Sequence, residues 1–366
     1  MTSNPPQIAG EPLSARLWPI NSRPGDEVML NVPTDILCSY HYFKDVDMAA
    51  VQSWGTRIIG DSGAFSAASS GNPIDRDQFH AWARRWDDHL FWVAALDVIG
   101  DAEATYANWK AARDEGLTLV PTVHYGSSPQ LLDRYADAGV DFVGLGGMVA
   151  YSSEPDRLMR WLIPMFRHAR DNHPGMRFHG WGISHPRLVD RLPWWSCDSS
   201  GFASAFRFGT LRLFDPRKGS YFQVDLNGRD VAAHRHLLAR YYGLSDWRTI
   251  ATSTPETRRA VGRVALKAVQ LYADWLQQRQ RVSAPESLLV RVGATPGPLQ
   301  HASNGADFSS GYRSMSPDDT TPPQGPTLSA VMPYPGTAVN PGDSSLVGPR
   351  LVAANTQPEF YNPTEE

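Results

Sequence analysis

Residues 57–66 read Arg-Ile-Ile-Gly-Asp-Ser-Gly-Ala-Phe-Ser, a short apolar segment that ends at a carboxylate and then turns sharply. Ile58 and Ile59 are β-branched, as the interior of a strand prefers. Asp61 follows at the end of this strand, before small residues that let a ligand approach the backbone. An aspartate in such a position is also typical of a helix N-cap or a turn. The segment therefore predicts a buried strand whose last residue is a candidate for function.

The same design recurs downstream, where apolar runs end in Asp97 and in Asp198. Candidate strands alternate with helices along the chain: 36–41, 57–61, 91–97, 117–124, 141–148, 177–182 and 194–198, with an eighth expected near 209–214. Strands that are apolar on both faces and alternate with helices indicate a parallel sheet covered on both sides. The pattern predicts an α/β fold, a (β/α)8 TIM-like barrel. A doubly wound dinucleotide-binding sheet is disfavoured, because no Gly-x-Gly-x-x-Gly follows the first strand.

The barrel is expected to occupy only part of the chain. Residues 1–34 are rich in Pro, Asn and Ser and predict an extended N-terminal arm. Residues 35–282 are expected to hold the barrel and, from about residue 228, a basic helical C-terminal extension. Residues 283–366 contain thirteen prolines with many Gly, Ser and Thr and no periodicity. Such a segment buries too little apolar surface to offset the entropy of ordering, so it predicts a disordered acidic tail.

Composition indicates a soluble protein, since 42% of the 366 residues are hydrophobic and no apolar run approaches the ~20 residues of a membrane span. The N-terminus lacks a basic region followed by an apolar segment, so no membrane partner is expected. Cys38 and Cys197 are the only cysteines. They fit a reducing, cytoplasmic compartment and exclude a structural zinc site built mainly from cysteines.

The net charge of −4 conceals an asymmetry along the chain. Residues 201–281 carry fourteen Lys/Arg against six Asp/Glu, a balance of +8, whereas residues 283–366 carry three against eight, a balance of −5. The cationic residues considered for nucleic-acid contact are Arg207, Arg212, Arg217, Lys218, Arg258, Arg259, Arg263 and Lys267. Clustered positive charge downstream of the strands suits a phosphate backbone, and it is also compatible with an ordinary solvated surface.

In a barrel, residues at the carboxyl ends of the strands converge on one mouth whatever their separation in sequence. Such ends carry Asp61, Asp97, His124, the pair Gly146-Gly147 and Asp198. A metal site is one interpretation, because Asp and His are common ligands, although the sequence has no His-x-His pair there. A nucleoside site is another, in which one carboxylate attacks an anomeric carbon, a second shuttles a proton and a third reads the base edge. His124 is also compatible with a structural role, and the glycine pair with phosphate binding.

The sequence resembles the tRNA-guanine transglycosylase superfamily in an ordered series of segments. Its Asp61-Ser-Gly-Ala-Phe-Ser66 is similar to that family's Asp-Ser-Gly-Gly-Phe-Gln signature. The further matching segments arrive in the family's order: Leu96-Asp97, 122–126, 144–148, 179–182 and Cys197-Asp198. Together they cover roughly residues 36–215. Among the branches, the chain looks most like the phage and bacterial proteins that place 7-deazaguanine bases into DNA.

The resemblance implies a role for each matching position. Asp198 matches the nucleophile that attacks C1′, and Asp61 matches the general acid/base that serves the leaving and incoming bases. Asp97 matches the acceptor of the guanine N1–H and 2-amino groups. The remaining base-binding positions that it implies are Gly146 and Gly147, whose backbone N–H groups reach the base carbonyl, Ser62 and Phe65 beside the base, and His124, which stands where the family has Gln.

One departure from the family concerns its zinc site, since no cysteine follows residue 198. We therefore expect no metal and no cofactor. The resemblance implies a pentosyltransferase that exchanges guanine in DNA for preQ0 or a derivative through a covalent Asp–C1′ intermediate, a modification that serves restriction evasion in phages. Its partners are DNA and a free 7-deazaguanine base, and the target base must leave the stack. The alternatives are the same exchange on tRNA, a catalytically inactive nucleic-acid-binding barrel and a metal-dependent hydrolase. Three mutually repelling carboxylates disfavour an inactive site.

Overall fold

The computed structural model describes residues 16–19, 35–52, 57–70, 73–183, 185–199, 209–251, 255–279, 282 and 285–291. The strands are β1 (Arg16–Pro19), β2 (Ile36–Ser39), β3 (Ile58–Asp61), β4 (Trp92–Ala94), β5 (Leu119–Val120), β6 (Thr122–His124), β7 (Phe142–Gly146), β8 (Arg177–Gly180), β9 (Ser196–Ser199), β10 (Thr210–Asp215) and β11 (Ser220–Asp225). The α-helices are α1 (Tyr40–Phe43), α2 (Met48–Gln52), α3 (Ala64–Ser70), α4 (Arg76–Arg85), α5 (Ala102–Asp114), α6 (Leu131–Asp137), α7 (Pro155–Asn172), α8 (Pro186–Val189), α9 (Gly228–Ala233), α10 (Arg235–Tyr242), α11 (Pro255–Arg279) and α12 (Glu286–Arg291).

Parallel strands in sequence order form the centre of the molecule. One sheet has the order β2-β3-β4-β5, the other has the order β1-β9-β8-β7-β6, and every pair in both is parallel. Only Pro121 separates β5 from β6. Because proline has no N–H to donate to a neighbouring strand, it interrupts the ladder, and the two sheets adjoin there. The prediction of an α/β fold with parallel strands between helices is confirmed.

Side chains alternate between the two faces of these strands, as strand geometry requires. One face packs against the helices, for example the Phe178 ring, whose centroid lies 4.8 Å from that of Phe166 in α7. The other face of the two sheets carries a second buried cluster: Leu37, Ile59, Trp92, Val120, Phe142, Trp195 and Leu288. Trp92 belongs to the first sheet, and its ring lies 5.2 Å from Phe142 in the second. The inner faces of the two sheets therefore face each other.

The structure corrects two expectations about the strands. The segment near 209–214 does not add an eighth parallel strand, because β10 pairs antiparallel with β11. Its alternating buried Leu211 and Leu213 and the tight turn that ends at Gly219, with φ +63°, suit a hairpin. The place beside β9 is taken instead by β1, which lies in the region expected to be an extended arm.

The C-terminal extension combines the β10–β11 hairpin with helices and has its own core. Its buried apolar residues are Leu211, Leu213, Val224, Val231, Leu237, Leu238, Ile250, Val261, Val264, Ala265 and Leu266. Helix α11 also reaches the central core, where the Tyr272 hydroxyl donates a hydrogen bond to Asp190. No described helix is long and apolar enough to cross a membrane.

The boundary of the predicted tail also moves. Residues 286–291 form α12, within the region expected to be disordered from residue 283. Leu288 is buried in the inner cluster, and the backbone N–H of Ser287 donates to Asp141 Oδ2 at 3.1 Å. The rest of the predicted tail, from residue 292, lies outside the described residues.

Candidate active site at the carboxyl ends of the parallel strands

Strand register brings the predicted residues to one edge of the sheets. Asp61 is opposite Ser39 on β2, His124 is opposite Gly146 on β7, and Asp198 is near the end of β9. Asp97 follows β4 by three residues. Because all these strands are parallel, their carboxyl ends share one edge, which we call the rim. Among the described residues, the rim holds no three potential metal ligands whose ligand atoms lie within 4.8 Å of one another.

Asp198 is the most deeply buried carboxylate of the rim, with 1% of the residue exposed. Its Oδ1 is hydrogen-bonded to His179 Nε2 at 3.0 Å and accepts the backbone N–H of Gly182, also at 3.0 Å. Within the described part of the chain, Oδ2 accepts no further hydrogen bond. A buried carboxylate needs such donors, because desolvation of an unpaired charge is costly. The two bonds fix Oδ1 and leave Oδ2 without a hydrogen-bond donor among the described residues.

His179 was not predicted as a site residue, and the structure places it directly behind Asp198. It is fully buried, and its Nδ1 lies 2.7 Å from Ser196 Oγ. Burial lowers the pKa of His179, against the opposing effect of the Asp198 hydrogen bond. The hydrogen-bond pattern assigns the neutral tautomer in which Ser196 donates to Nδ1 and Nε2–H donates to Asp198. The chain Ser196–His179–Asp198 therefore orients the carboxylate without placing a full positive charge beside it.

Two tryptophans surround the His179 imidazole. The ring centroids of Trp92 and Trp181 lie 4.9 and 4.2 Å from that of His179. This apolar enclosure accounts for the lowered pKa of His179, because a charged imidazolium would lose its hydration there. A lone histidine in an apolar strand gives no sequence signal for such a role. The spacing of His179 and Ser196 from Asp198 becomes informative only once β8 and β9 are known to be neighbours.

Asp97 and His124 form a second carboxylate–histidine pair on the rim. His124 Nε2 lies 2.8 Å from Asp97 Oδ2, and the Ser62 hydroxyl is 3.4 Å from Asp97 Oδ1. The side chains of His124 and Asp97 are 11% and 20% exposed. The structure thus brings together three of the predicted base-binding residues. It uses His124 Nε2 to hold Asp97, not to present a donor to open solvent.

Asp61 and the glycine turn after it form a tight corner. The Asp61 Oδ2 accepts the backbone N–H of Gly63 at 3.0 Å, which is the turn-forming contact expected of an Asx residue. Gly63 has φ +76°, and a Cβ there would lie 2.3 Å from Ser39 Oγ. Only glycine fits this position. The corner keeps Asp61 partly exposed at the rim, and Phe65 lies partly exposed in α3 just beyond it.

The glycines of β7 make room for an aromatic ring. A Cβ on Gly144 would lie 2.1 Å from Trp181 Nε1, and one on Gly146 would lie 3.1 Å from Trp181 Cδ1. Trp181 donates from Nε1 to Thr122 Oγ1 at 3.2 Å. Gly147 follows with φ +73° and is exposed. The predicted Gly146-Gly147 pair therefore lies on the rim, between the His124 and His179 pairs, with the Trp181 ring beside it.

A cleft of about 580 Å³ opens beside Asp97. Its walls come from α3, the start of α4, the segment after β4 and α5, and they include Ala64, Asp75, Arg76 and Asn108. The cleft has the size of a site for a small organic ligand, for which volumes of about 300–1,000 Å³ are usual. It provides space next to one of the carboxylates.

The predicted cationic residues are in different states. The Arg217 guanidinium pairs with Asp215 at 2.8 Å, which neutralises its charge locally. The Arg212 guanidinium lies 5.0 Å from the centre of the Tyr221 ring. Lys218 and Arg263 are exposed and Lys267 is half-buried. Arg207 lies outside the described residues, as do the side chains of Arg258 and Arg259, although their backbone belongs to α11.

No protein-family model matches the sequence, and no curated protein matches it. Among solved structures, the carboxyl transferase domain of Rhizobium etli pyruvate carboxylase with 3-bromopyruvate is similar at 13% identity and a TM-score of 0.38, over 77% of this chain and 51% of that one. A lyase/mutase from Burkholderia cenocepacia J2315 is similar at 13% identity and a TM-score of 0.36, over 69% and 92% of the two chains. This chain spans about half the length of the carboxyl transferase chain. Similarity at this level assigns the chain to no family.

Proposed function

We propose that this chain is a (β/α)8-barrel transglycosylase that exchanges guanine in DNA for a 7-deazaguanine base such as preQ0. The observation that carries the proposal is the state of Asp198. This carboxylate is buried at the rim, held through Oδ1 by His179 and Gly182, and its Oδ2 has no hydrogen-bond partner among the described residues. A carboxylate with one oxygen fixed and one available suits attack on an anomeric carbon.

The proposed exchange is a double displacement at C1′. Asp198 Oδ2 forms a bond to C1′ as the glycosidic C1′–N bond breaks, and Asp61 protonates the leaving guanine. Asp61 then removes a proton from the incoming base, whose nitrogen attacks C1′ and breaks the Asp198 ester bond. The two inversions restore the original configuration, and Asp61 returns to its starting state. Asp61 suits this role because its partly exposed position at the rim gives it access to both bases.

Asp97 is proposed to read the base edge, with His124 orienting it. An ionised carboxylate has about four acceptor sites on its two oxygens, so the bonds to His124 and Ser62 leave capacity for the guanine N1–H and 2-amino groups. The 580 Å³ cleft beside Asp97 offers space for the base. Because the Asp198 side chain is only 2% exposed, we infer that groups covering it move when the nucleotide binds.

Base exchange by the purified full-length protein tests the proposal. Radiolabelled guanine or preQ0 is supplied separately with duplex DNA, single-stranded DNA and tRNA, and Asp198→Asn is compared with wild type and with Asp114→Asn. Asp114 is an exposed helix residue paired with Lys110, so its variant controls for a change of charge. We expect label in DNA with wild type and Asp114→Asn, none with Asp198→Asn, and unchanged circular dichroism in both variants.

The other outcomes discriminate between functions. Label in tRNA alone would keep the chemistry and change the substrate. Exchange by Asp198→Asn at the wild-type rate would remove Asp198 from the nucleophile role. Binding of DNA with no incorporation of label into any of the three polymers would favour a nucleic-acid-binding protein without catalysis. A denaturing gel that shows a covalent protein–DNA adduct with wild type, absent with Asp198→Asn, would establish the intermediate directly.

A further inference from the structure

Two histidines and an aspartate converge on the outer surface, away from the rim. His168 Nε2 lies 2.6 Å from Asp133 Oδ1, and His173 Nε2 lies 2.5 Å from the same oxygen. The ligand atoms of these three side chains all lie within 4.8 Å of one another. The side chains are 17%, 41% and 20% exposed for His168, Asp133 and His173, so the point where they meet is partly buried but open to water.

This arrangement differs from an ordinary surface ion pair. A single carboxylate oxygen of Asp133 on α6 contacts two imidazole nitrogens, one from His168 in the last part of α7 and one from His173, which caps the end of α7. Two imidazole nitrogens and one carboxylate oxygen directed at one point are the donor set of many three-ligand zinc sites, which keep a water in the fourth position.

We propose that Asp133, His168 and His173 bind a divalent transition metal of the zinc type. Zinc bonds to histidine nitrogen and carboxylate oxygen are about 2.0–2.2 Å long, so tetrahedral ligand atoms stand about 3.3 Å apart. The two histidine nitrogens in the free site lie closer than this to Asp133 Oδ1, and small side-chain rotations would open the cluster to admit the ion. The ion binds the Nε2 lone pairs, and the proton of each neutral imidazole moves to Nδ1.

A fourth residue is placed to support the site. Asn172 Nδ2 lies 3.3 Å from His168 Nδ1 and 3.0 Å from the His168 carbonyl oxygen. With metal on Nε2, His168 carries its proton on Nδ1 and needs an acceptor there. Rotation of the Asn172 amide breaks its Nδ2–H bond to the His168 carbonyl and supplies Oδ1 as the acceptor of Nδ1–H, the second contact that metal-bound histidines usually make. We therefore assign Asn172 as a positioning residue of the metal site.

The position of the cluster makes it a structural tether. His173 lies four residues before β8 begins, so it belongs to the edge of the sheets opposite the rim that holds Asp198. A metal bound there would fasten α6 to the end of α7, and it would take no part in base exchange. The proposal is thus independent of the proposed function.

Zinc binding by the chelator-treated full-length protein tests the site. ZnCl2 is titrated into wild type by calorimetry, with MgCl2 in parallel, and thermal unfolding is followed with and without zinc. We expect one zinc per chain, no comparable magnesium binding and a higher unfolding temperature with zinc. His173→Gln and Asp133→Asn should weaken zinc affinity at least roughly tenfold, and Asn172→Leu by about 10- to 100-fold. His89→Gln is the control, because His89 contacts Gln52 through Nδ1 and the Trp86 ring, lies outside the Asp133 cluster and should leave binding unchanged.

If a variant fails to fold, X-ray absorption spectroscopy of zinc-loaded wild type still tests the site, because it identifies the atoms bound to zinc. We expect nitrogen and oxygen neighbours at about 2.0–2.2 Å and no sulfur at about 2.3 Å. No zinc binding by wild type overturns the proposal. So does equal binding by His173→Gln and Asp133→Asn, or a sulfur shell, which would place the metal on Cys38 or Cys197 instead.

Discussion

At the scale of single residues, the site depends on how the protein holds a buried carboxylate. Burial of the Asp198 carboxylate costs free energy of desolvation, which hydrogen bonds from its neighbours must offset. The described donors are His179 Nε2 and the Gly182 N–H. His179 is itself held by Ser196, so the orientation of the carboxylate depends on a chain of buried hydrogen bonds. His179 therefore acts through Asp198 as a positioning residue.

Substitution of His179 tests this dependence. We expect His179→Leu to lower kcat for base exchange roughly 10- to 100-fold, because a hydrogen bond to a charged group contributes about 1.5–3 kcal/mol. The KM for the incoming base should change little, since His179 contacts no described base-binding residue. His179→Gln, whose amide can still donate, should recover part of the rate. Wild-type kcat in His179→Leu, with intact circular dichroism, would contradict the role.

The sequence predicted some of these residues and could not predict others, for physical reasons. Asp61, Asp97 and Asp198 stand out because each ends an apolar run, a pattern that a parallel strand produces directly. His179 sits inside such a run, and its role arises from contact with the neighbouring strand. The same holds for Asp133 and His168, which are 35 residues apart and meet only through helix packing.

At the scale of elements, the Trp181 ring packs against β7 and determines which residues fit there. Gly144 has no room for a side chain, because its Cβ would lie 2.1 Å from Trp181 Nε1. We expect Gly144→Ala to destabilise the fold by about 1–3 kcal/mol and to displace Trp181 from Thr122. Urea unfolding and the tryptophan fluorescence of the native state measure the two effects.

Gly228→Ala is the matched control for that substitution. Gly228 begins α9, is exposed, and a Cβ there would meet nothing within 4 Å. We expect this variant to be neutral or to stabilise by about 0.4–1 kcal/mol, because alanine reduces the entropy of the unfolded chain. Equal unfolding free energies for Gly144→Ala and Gly228→Ala would show that Trp181 adapts at no cost.

The elements that sequence reasoning misplaced share a cause. Strand β1 is four residues long within a segment rich in Pro, Asn and Ser, so its own composition gives little signal, and β9 supplies the pairing. Strand β10 shows the alternation of buried and exposed residues that is typical of a strand, but it pairs antiparallel with β11. In the sequence, only the turn that ends at Gly219 indicates this hairpin. Helix α12 is held by Leu288, which is buried in the inner cluster, and by the Ser287 N–H bond to Asp141. Tertiary contacts decide all three.

At the scale of the whole molecule, the order of the strands was predictable because each apolar strand alternates with a helix. Parallel pairing then follows, since a crossover helix returns the chain to the same edge. The sequence could not show how the C-terminal extension joins this body. That junction depends on α11, whose buried residues divide between the two cores and whose Tyr272 bonds to Asp190.

The buried His179 at the site makes the free energy of unfolding of the whole protein depend on pH. Burial lowers the pKa of His179, so the folded protein keeps this imidazole neutral while the unfolded chain takes up a proton near the ordinary value of about 6.5. Its contribution is therefore fully present above that pH and is lost as the pH falls towards the folded pKa. Asp133 and Asp215, whose pKa values are lowered by their histidine and arginine partners, add to the loss only in the more acidic range of carboxylates. Asp190, whose pKa is raised by burial, acts in the opposite direction.

We accordingly expect the free energy of unfolding to fall between pH 7.5 and pH 5.5, by at most about 1.4 kcal/mol per pH unit for one proton. Urea unfolding at several pH values measures it. His179→Gln should flatten this slope because glutamine does not titrate. The same slope in wild type and His179→Gln would mean that other groups carry the acid sensitivity. A flatter slope would identify the neutral imidazole behind Asp198 as a group that destabilises the fold in acid, beside His41 and His185, whose pKa values burial also lowers.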